Sequence, residues 1–426
     1  MNRMADLRVN AERLWNAHME LAEIGALPGG GCRRLGLTPE DRVARDRFTA
    51  WCRQAGCRVT VDQAGNIFAI RAGRRSGPPV TCGSHLDTQP HGGRFDGIFG
   101  VLAGLEVIRS LNDAGVETDL PVAVVNWTNE EGVRYPGLCG SQAFAGRWTV
   151  QELKNLESVD GTTFGADLSL LGYDGDQPLG SFPMSAFFEI HIEQGPILDQ
   201  HREIIGVVTK VQGLRWIEVT VTGADRHAGT TPMPARRDAL VAAAKAIAAL
   251  DRLARQNTPD ARVTVGRLRI EPNSPSTVPG YARFVVDLRH PESETLDRLE
   301  GEIAALCRKA AEEHSAEVEQ RRILTVAPID FDAGCIDNIG ESASALGLPH
   351  RRMVSGAIHD ASVIGGIVPT AMIFVPSRDG ISHDEAEWTE PAHLEAGCNV
   401  LLHAMLARAG VAAIGNNRST AAGSAA

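Results

Sequence analysis

The sequence predicts an α/β protein in which a mostly parallel-sheet domain is interrupted by an inserted ferredoxin-like (βαββαβ) domain. Two observations predict this fold. Short apolar strands alternate with helical segments on both sides of the middle of the chain, as in parallel α/β sheets. Residues 214–327 instead carry the order β-α-β-β-α-β. The length of 426 residues allows two or three domains. We therefore expect one domain formed by 1–213 and 328–412, the inserted domain between them, and a disordered Asn/Ser/Ala/Gly-rich tail over 413–426.

The larger domain has its elements on both sides of the insertion. Apolar spacing near 3.6 residues predicts a helix over 43–55 that ends at Gly56. The following segments are predicted as strands at 58–61, 66–70 and 79–84, a helix at 99–111 and a strand at 120–128. The last is an uninterrupted apolar run, as expected for a strand that is buried on both faces. After the insertion, 357–375 returns to the composition of a buried strand.

The inserted domain carries four strands with alternating apolar residues and two helices. The predicted strands are 215–222, 262–270, 282–289 and 317–325, and the predicted helices are 236–254 and 292–314. Together they complete one split βαβ unit of ordinary domain size.

Composition excludes several classes of protein. There are 42 Lys and Arg against 53 Asp and Glu, a net charge of −11, which argues against a nucleic-acid or anionic-membrane partner. The eight cysteines form no CxxC pair, so a zinc knuckle is not expected, and their scatter fits a reducing compartment. The sequence has no apolar signal-peptide core and no apolar run of about 18 residues. We expect a soluble cytoplasmic protein.

Polar residues follow the predicted strands at several points. His85 and Asp87 come after one strand, Glu130 and Glu131 after the next buried strand, and His383 after a strand near the end. The carboxyl ends of parallel strands meet at one edge, where such sheets bind ligands. Alone, a His-x-Asp pair is commonly a chance occurrence and a Glu-Glu pair a solvated face. Together, buried acids and histidines without cysteine indicate a site for a divalent metal such as zinc, manganese, cobalt or nickel.

Five motifs in order resemble the hydantoinase/carbamoylase branch of the M20 metallopeptidase family. They are GSHLDTQP (83–90), GRFDG (93–97), TNEEG (128–132), EIHIEQGP (189–196) and GISH (380–383). The branch contains N-carbamoyl-L-amino acid hydrolases, β-ureidopropionases and allantoate amidohydrolases, and the resemblance runs from about residue 8 to about 406. It implies a catalytic domain with two divalent metal ions per subunit, and an inserted lid domain that forms a homodimer.

The resemblance also implies roles for individual residues. The metal ligands it implies are His85, Asp96, Glu131, His191 and His383, with Asp96 bridging the two ions. It implies that Glu130 is the general base and that Asp87 hydrogen-bonds to His85 to fix its tautomer. His227, in the segment RHAGTTPM (226–233), matches a histidine that stabilises the oxyanion in the active site of the other subunit of a dimer.

Candidate substrate residues follow from the same resemblance. They are Arg289, Gln194, Ser276, Asn273, Gly380 and His359. Arg289 would bind the substrate carboxylate as a bidentate fork, although an exposed strand arginine is the simpler alternative. Strand alternation places it on the face of Asp287. The sequence departs from the family at Ser276, where Asn is usual (Asn273 is out of register), and at Ile358, where Gly is usual. Both departures bear on the substrate.

We expect hydrolysis of an N-carbamoyl-L-amino acid, or of a related ureido acid, to the amino acid, carbon dioxide and ammonia. Hydrolysis of allantoate, or of a plain amide as by an aminoacylase or dipeptidase, is the alternative, since the same metal chemistry serves all three. A binding protein that has lost catalysis is disfavoured because the five ligand positions and Glu130 are intact. The expected partners are a small-molecule substrate and a second copy of the chain, with neither nucleic acid nor membrane.

Overall fold

The computed structural model describes residues 6–414, which separate into two compact units. The first unit contains the described residues up to Thr209 and from Asp330 onward, and the second contains Lys210–Ile329. The expected disordered tail does not begin at residue 413, because residues 411–414 form a strand that pairs with residues 116–118. The rest of that expectation, 415–426, lies outside the described residues.

The helices and strands follow in chain order. The helices are α1 (Ala11–Ala22), α2 (Pro39–Gln54), α3 (Ile98–Asp113), α4 (Cys139–Phe144), α5 (Val150–Lys154), α6 (Phe164–Leu171), α7 (Ile197–His201), α8 (Ala239–Gln256), α9 (Ser293–Glu312), α10 (Ala333–Ala345), α11 (Asp360–Ile364) and α12 (Pro391–Ala409). The strands are β1 (Arg58–Val61), β2 (Ile67–Arg71), β3 (Val80–His85), β4 (Val116–Thr118), β5 (Val122–Trp127), β6 (Ala186–Ile192), β7 (Ile205–Val211), β8 (Gly213–Thr222), β9 (Arg226–His227), β10 (Arg262–Glu271), β11 (Thr277–Val278), β12 (Tyr281–His290), β13 (Glu317–Val326), β14 (Ile329–Asp330), β15 (His350–Ser355), β16 (Thr370–Val375) and β17 (Val411–Ile414).

The first unit is built on a mixed sheet with a parallel centre. Its strand order is β1-β2-β5-β3-β6-β16-β7-β14, with β15 paired to β7. The four central strands β5, β3, β6 and β16 run parallel to one another. Every residue of these four strands is buried, and for β5 this is what the apolar run at 120–128 predicts. Their carboxyl ends therefore lie at one edge of the sheet.

The second unit is a four-stranded antiparallel sheet with two helices. The strand order is β10-β12-β8-β13, which is the ferredoxin-like arrangement that the order β-α-β-β-α-β predicts. Alternate residues of β12 are buried, and Phe284, Val286 and Leu288 pack in one apolar core with residues of α8 and α9.

The prediction of a strand over 357–375 is correct only at its end. Asp360–Ile364 forms the short helix α11, and the strand β16 begins at Thr370. All five residues of α11 are buried. A short segment that is apolar on all sides carries no periodicity that separates helix from strand.

The eight cysteines are buried free thiols. Within residues 6–414, no helix is both long and apolar enough to cross a bilayer.

Candidate metal centre

The strand order of the first unit brings the candidate ligands to one edge of the sheet. His85 ends β3 and His191 lies near the end of β6, whereas Glu131 follows β5 by four residues. Asp96 lies in the loop before α3, and His383 lies in the loop after β16. Residues that are almost 300 positions apart in sequence therefore meet at the carboxyl ends of adjacent parallel strands.

Asp96 lies at the middle of this cluster. Its Oδ1 is 3.1 Å from Nε2 of His191 and 3.8 Å from Nε2 of His85. Its Oδ2 is 3.3 Å from Nε2 of His383, which is also 3.5 Å from Oε2 of Glu131. Three groups of candidate ligands have their ligand atoms within 4.8 Å of one another, and two of them, His85–Asp96–His191 and Asp96–Glu131–His383, contain Asp96; the third is Glu189–His191–His359. One carboxylate thus belongs to two of these groups.

Two of the histidine rings are oriented by backbone carbonyls. Nδ1 of His85 is 2.9 Å from the carbonyl of Asp87, and Nδ1 of His191 is 2.8 Å from the carbonyl of Ile192. A carbonyl only accepts, so each ring donates from Nδ1 and presents Nε2 toward Asp96. This is the ring orientation that a metal ligand requires.

The carboxylate of Asp87 differs from its expected role. It lies 3.9 Å from Nδ1 of His85, and the backbone carbonyl of the same residue holds the ring instead. The carboxylate accepts hydrogen bonds from the backbone N–H groups of Glu130 (3.3 Å) and Glu131 (3.2 Å). Asp87 therefore orients the turn that carries both glutamates.

Burial and mutual repulsion dominate the electrostatics of this site. Burial, together with the neighbouring charge of Glu131, holds the pKa of Glu130 well above its ordinary value. The pKa of Glu131 is likewise raised by burial and by Asp96. Burial opposes ionisation of Asp96 too, but His191 and His383 hold its pKa well below the usual range. A buried set of carboxylate and imidazole donors with uncompensated negative charge fits a divalent cation.

Three residues at the site have strained backbones. Asn129, Gln194 and His383 have φ values of 54°, 58° and 55°, in the left-handed region that costs a residue with a side chain about 1–3 kcal/mol. Each of them is a candidate ligand or lies within three positions of one. Such strain concentrates at functional sites, where surrounding contacts hold it in place.

The first unit also places three of the candidate substrate residues. Nε2 of Gln194 donates to Oδ2 of Asp96 (2.8 Å), so this amide lies at the cluster itself. The ring of His359 is buried 4.6 Å from that of His191, and its Nε2 is 3.1 Å from Oγ of Ser355. Gly380 has φ +71°, and a Cβ there would lie 2.7 Å from the backbone nitrogen of Pro196.

The remaining candidates lie in the second unit. His227 is exposed on β9, where its Nδ1 accepts hydrogen bonds from the N–H groups of Gly229 (3.0 Å) and Thr230 (3.2 Å). Its proton is therefore on Nε2. The carbonyl of Ser276 accepts from the N–H of Ala228, which places Ser276 beside His227.

Arg289 and Asn273 complete this set. Arg289 donates from Nε and Nη2 to the two carboxylate oxygens of Asp287, at 2.9 and 3.1 Å, on the face that alternation predicts. Asn273 is exposed with φ 56°.

Sequence reasoning missed two side chains that orient the ligands. Gln89 donates to Oε2 of Glu131 (2.7 Å). Glu387, only 2% exposed, accepts from the backbone N–H groups of Phe95 and Asp96 and from Ser382. Gln89 lies within the first motif, and Glu387 lies four residues after His383. Loops lack the apolar periodicity of helices and strands, so the sequence of a loop does not indicate which of its acidic side chains are buried.

The fold and the cluster define a metal-dependent hydrolase of the α/β class. Residues 81–407 match the model of peptidase family M20/M25/M40, whose enzymes are metal-dependent, and the chain belongs to this family. It is 42% identical, over 94% of its length and 96% of the relative's, to an N-carbamoyl-L-amino-acid amidohydrolase of Rhizobium meliloti. It is 32% identical, over 89% and 93% respectively, to an allantoate amidohydrolase of Bacillus subtilis.

Among solved structures, an amidase of the hydantoinase/carbamoylase family from Burkholderia multivorans is similar throughout. It is 49% identical, covers 95% of this chain and 99% of its own, and superposes with a TM-score of 0.91.

Proposed function

We propose that this protein hydrolyses the carbamoyl C–N bond of an N-carbamoyl-L-amino acid or a close ureido acid. The products are the amino acid, carbon dioxide and ammonia. The observation that carries the proposal is the complete cluster of acids and histidines in a chain that is 42% identical to a relative named for this reaction.

We assign two divalent ions, drawn from zinc, manganese, cobalt and nickel, to the two groups of ligands that share Asp96. One ion would be held by His85, Asp96 and His191, and the other by Asp96, Glu131 and His383. When bound, such ions supply Lewis acidity and lower the pKa of water to near neutrality. The side chain of His383 is 49% exposed, so the cluster is open to solvent on that side.

Glu130 is the group that moves the proton. Its Oε2 lies 3.6 Å from Nε2 of His85, and its side chain retains 11% exposure. A carboxylate at this position can accept a proton from water and release it to a leaving nitrogen, and burial together with the charge of Glu131 favours its protonated form. It takes the proton from the attacking water as oxygen bonds to the carbamoyl carbon. It then delivers that proton to the amino-acid nitrogen as the C–N bond breaks, and the carbamic acid left over decomposes to carbon dioxide and ammonia.

The second unit supplies groups that suit the two ends of the substrate. Arg289 already holds a carboxylate, that of Asp287, in a two-point fork, and a substrate carboxylate has the same shape. His227 carries its proton on Nε2, so it is a hydrogen-bond donor to a developing oxyanion. We assign these two roles to Arg289 and His227, with His227 acting in the other subunit's active site as the resemblance implies.

A homodimer and a cytoplasmic location are part of the proposal. The dimer is supported by exposed apolar side chains in the second unit, Trp216 (40%), Leu268 (47%) and Leu324 (37%). Light scattering across a range of protein concentrations tests it, and a monomer at every concentration contradicts it. The eight free thiols suit a reducing compartment.

Glu130→Gln tests the mechanism. The amide keeps the shape but cannot take a proton, so kcat is expected to fall about 10²–10⁴-fold while bound metal per subunit stays unchanged. Metal content is measured by elemental analysis and turnover by release of the free amino acid. Activity within a few fold of the parent would show that Glu130 is not the base.

Allantoate is the second candidate substrate, because two relatives at 32% identity are named allantoate amidohydrolases. Parallel kcat/KM values for N-carbamoyl, N-formyl and N-acetyl amino acids and for allantoate separate ureido-acid, plain-amide and allantoate hydrolysis.

A further inference from the structure

We infer that Glu387 is a positioning residue that joins the loop of Asp96 to the loop of His383 and thereby sets the affinity of the site for its metal. The inference rests on the proposed metal centre. It concerns a side chain that does not belong to any group of candidate ligands.

The hydrogen bonds of Glu387 connect two distant parts of the chain. Its Oε1 accepts from the backbone N–H groups of Phe95 (3.0 Å) and Asp96 (3.2 Å). Its Oε2 accepts from Oγ of Ser382 (3.0 Å), the residue next to His383. One carboxylate thus fixes the backbone at one candidate ligand and the residue adjoining another, across some 290 residues of sequence. Both oxygens of this buried side chain are therefore engaged.

Ser382 makes the connection continuous. Its Oγ lies 3.1 Å from Oδ2 of Asp96 as well as 3.0 Å from Oε2 of Glu387. A hydroxyl has a single hydrogen, so it donates to one carboxylate at a time. A cation held by Asp96 would compensate that carboxylate and leave the hydroxyl to donate to Glu387. Occupation of the metal site would therefore strengthen the bond that holds the His383 loop.

The Asp96 loop is shaped around this carboxylate. A Cβ on Gly93 would lie 1.8 Å from Oε1 of Glu387 and 2.0 Å from its Cδ, so only glycine leaves room there. Beside it, the ring of Phe95 packs edge-on against that of Trp388 at 5.6 Å. The hydrogen bonds of Glu387 thus lie next to an apolar contact between the same two loops. An aspartate at position 387 would be too short to reach both the Asp96 loop and Ser382.

The test measures metal affinity in Glu387→Ala, Glu387→Gln and a matched control. Glu385→Gln is the control because Glu385 lies in the same loop but bonds Gly29 and His91 at the surface. The dissociation constant for Co²⁺ is measured on metal-free protein by competition with a chromophoric chelator. The visible spectrum of the Co²⁺-loaded protein reports the ligand arrangement, and thermal unfolding of the metal-free proteins reports folding.

We expect Glu387→Ala to weaken Co²⁺ binding about 10–100-fold and to change the visible spectrum, with Glu387→Gln weakening it about tenfold and the control within twofold. Affinities within twofold of the parent for folded Glu387 variants overturn the inference, and so does an equal loss in Glu385→Gln. If Glu387→Ala does not fold, Glu387→Gln decides by the same limits. A parent protein that binds no Co²⁺ refutes the proposed metal centre instead.

Discussion

Replacement of Gly97 by alanine is expected to disable the metal centre while leaving the fold intact. A Cβ at this position would lie 2.2–2.4 Å from three atoms of the His85 ring, where real Cβ contacts essentially never fall below 3.0 Å. The ring must therefore move by about 1 Å or the loop of Asp96 must shift. A displacement of that size at a reacting centre costs on the order of 100-fold in rate.

The same substitution also has a cost in stability that can be isolated. Gly97 has φ +70° and ψ −49°, a region that residues with a side chain sparsely populate, so an alanine there is strained by roughly 1–3 kcal/mol. Gly56 has φ +79°, and a Cβ added there would have no other atom within 4 Å, so Gly56→Ala carries the strain without the collision. At about 2–4 °C per kcal/mol, both variants should lose some 2–12 °C in Tm.

The assay compares the two variants with the parent in kcat/KM toward an N-carbamoyl amino acid and in bound metal. Only Gly97→Ala should lose metal affinity and about 100-fold in kcat/KM, whereas Gly56→Ala should keep both. Turnover and metal content in Gly97→Ala within threefold of Gly56→Ala would refute the placement of His85 against this loop.

Three further outcomes are expected. Removal of metal with a chelator should abolish turnover and lower the Tm. For an ion present at 100 times its Kd, the free energy of unfolding should fall by about 2.7 kcal/mol. Added Mn²⁺, Co²⁺, Ni²⁺ or Zn²⁺ should restore both properties, and turnover that survives chelation contradicts the proposed chemistry. Burial lowers the pKa of His18 to about 3, so its contribution to stability is complete above pH 6.5 and falls by about 2 kcal/mol at pH 5. Urea unfolding of the metal-free proteins measures this. Between pH 7.5 and pH 5, the free energy of unfolding should fall less in His18→Leu than in the parent protein, and an equal fall in both contradicts the assignment. Arg45→Met should cost about 3–5 kcal/mol because it leaves the buried carboxylate of Asp41 without its 2.8 Å partner, and Asp41→Asn in the same chain should restore part of that; a loss below 1 kcal/mol would count against it.

The spacing of apolar residues predicted the helices and strands that bury one face or both faces. It did not predict helix starts that depend on a capping residue. The predicted helix over 43–55 begins four residues earlier, at Pro39, because Thr38 caps it and its first turn is polar. In the second unit, the predicted strands and helices lie within a few residues of the observed ones, since β12 alternates cleanly between buried and half-buried positions.

The site was predictable where residue type and strand order were sufficient. The meeting of His85 with Glu131 and His383 follows from strands that end at one edge of a parallel sheet, whereas His191 was expected only from the resemblance to the family. The sequence does not predict which oxygen of Asp87 holds the His85 ring, because a short turn brings both the backbone carbonyl and the carboxylate of Asp87 within reach of the ring. The role of Glu387 was likewise hidden, since it depends on a loop that folds back over 290 residues.

The position of β16 in the sheet has a consequence for how the chain is made. This strand lies between β6 and β7, although about 180 residues of chain separate the end of β6 from its start. At 5–20 residues per second, a ribosome takes about 10–35 s to reach it. Throughout that interval the buried edge of β6 has no neighbour on that side, and an open apolar strand edge invites pairing with other chains. Co-expression with a chaperone that shields nascent strands should therefore favour native protein over aggregate.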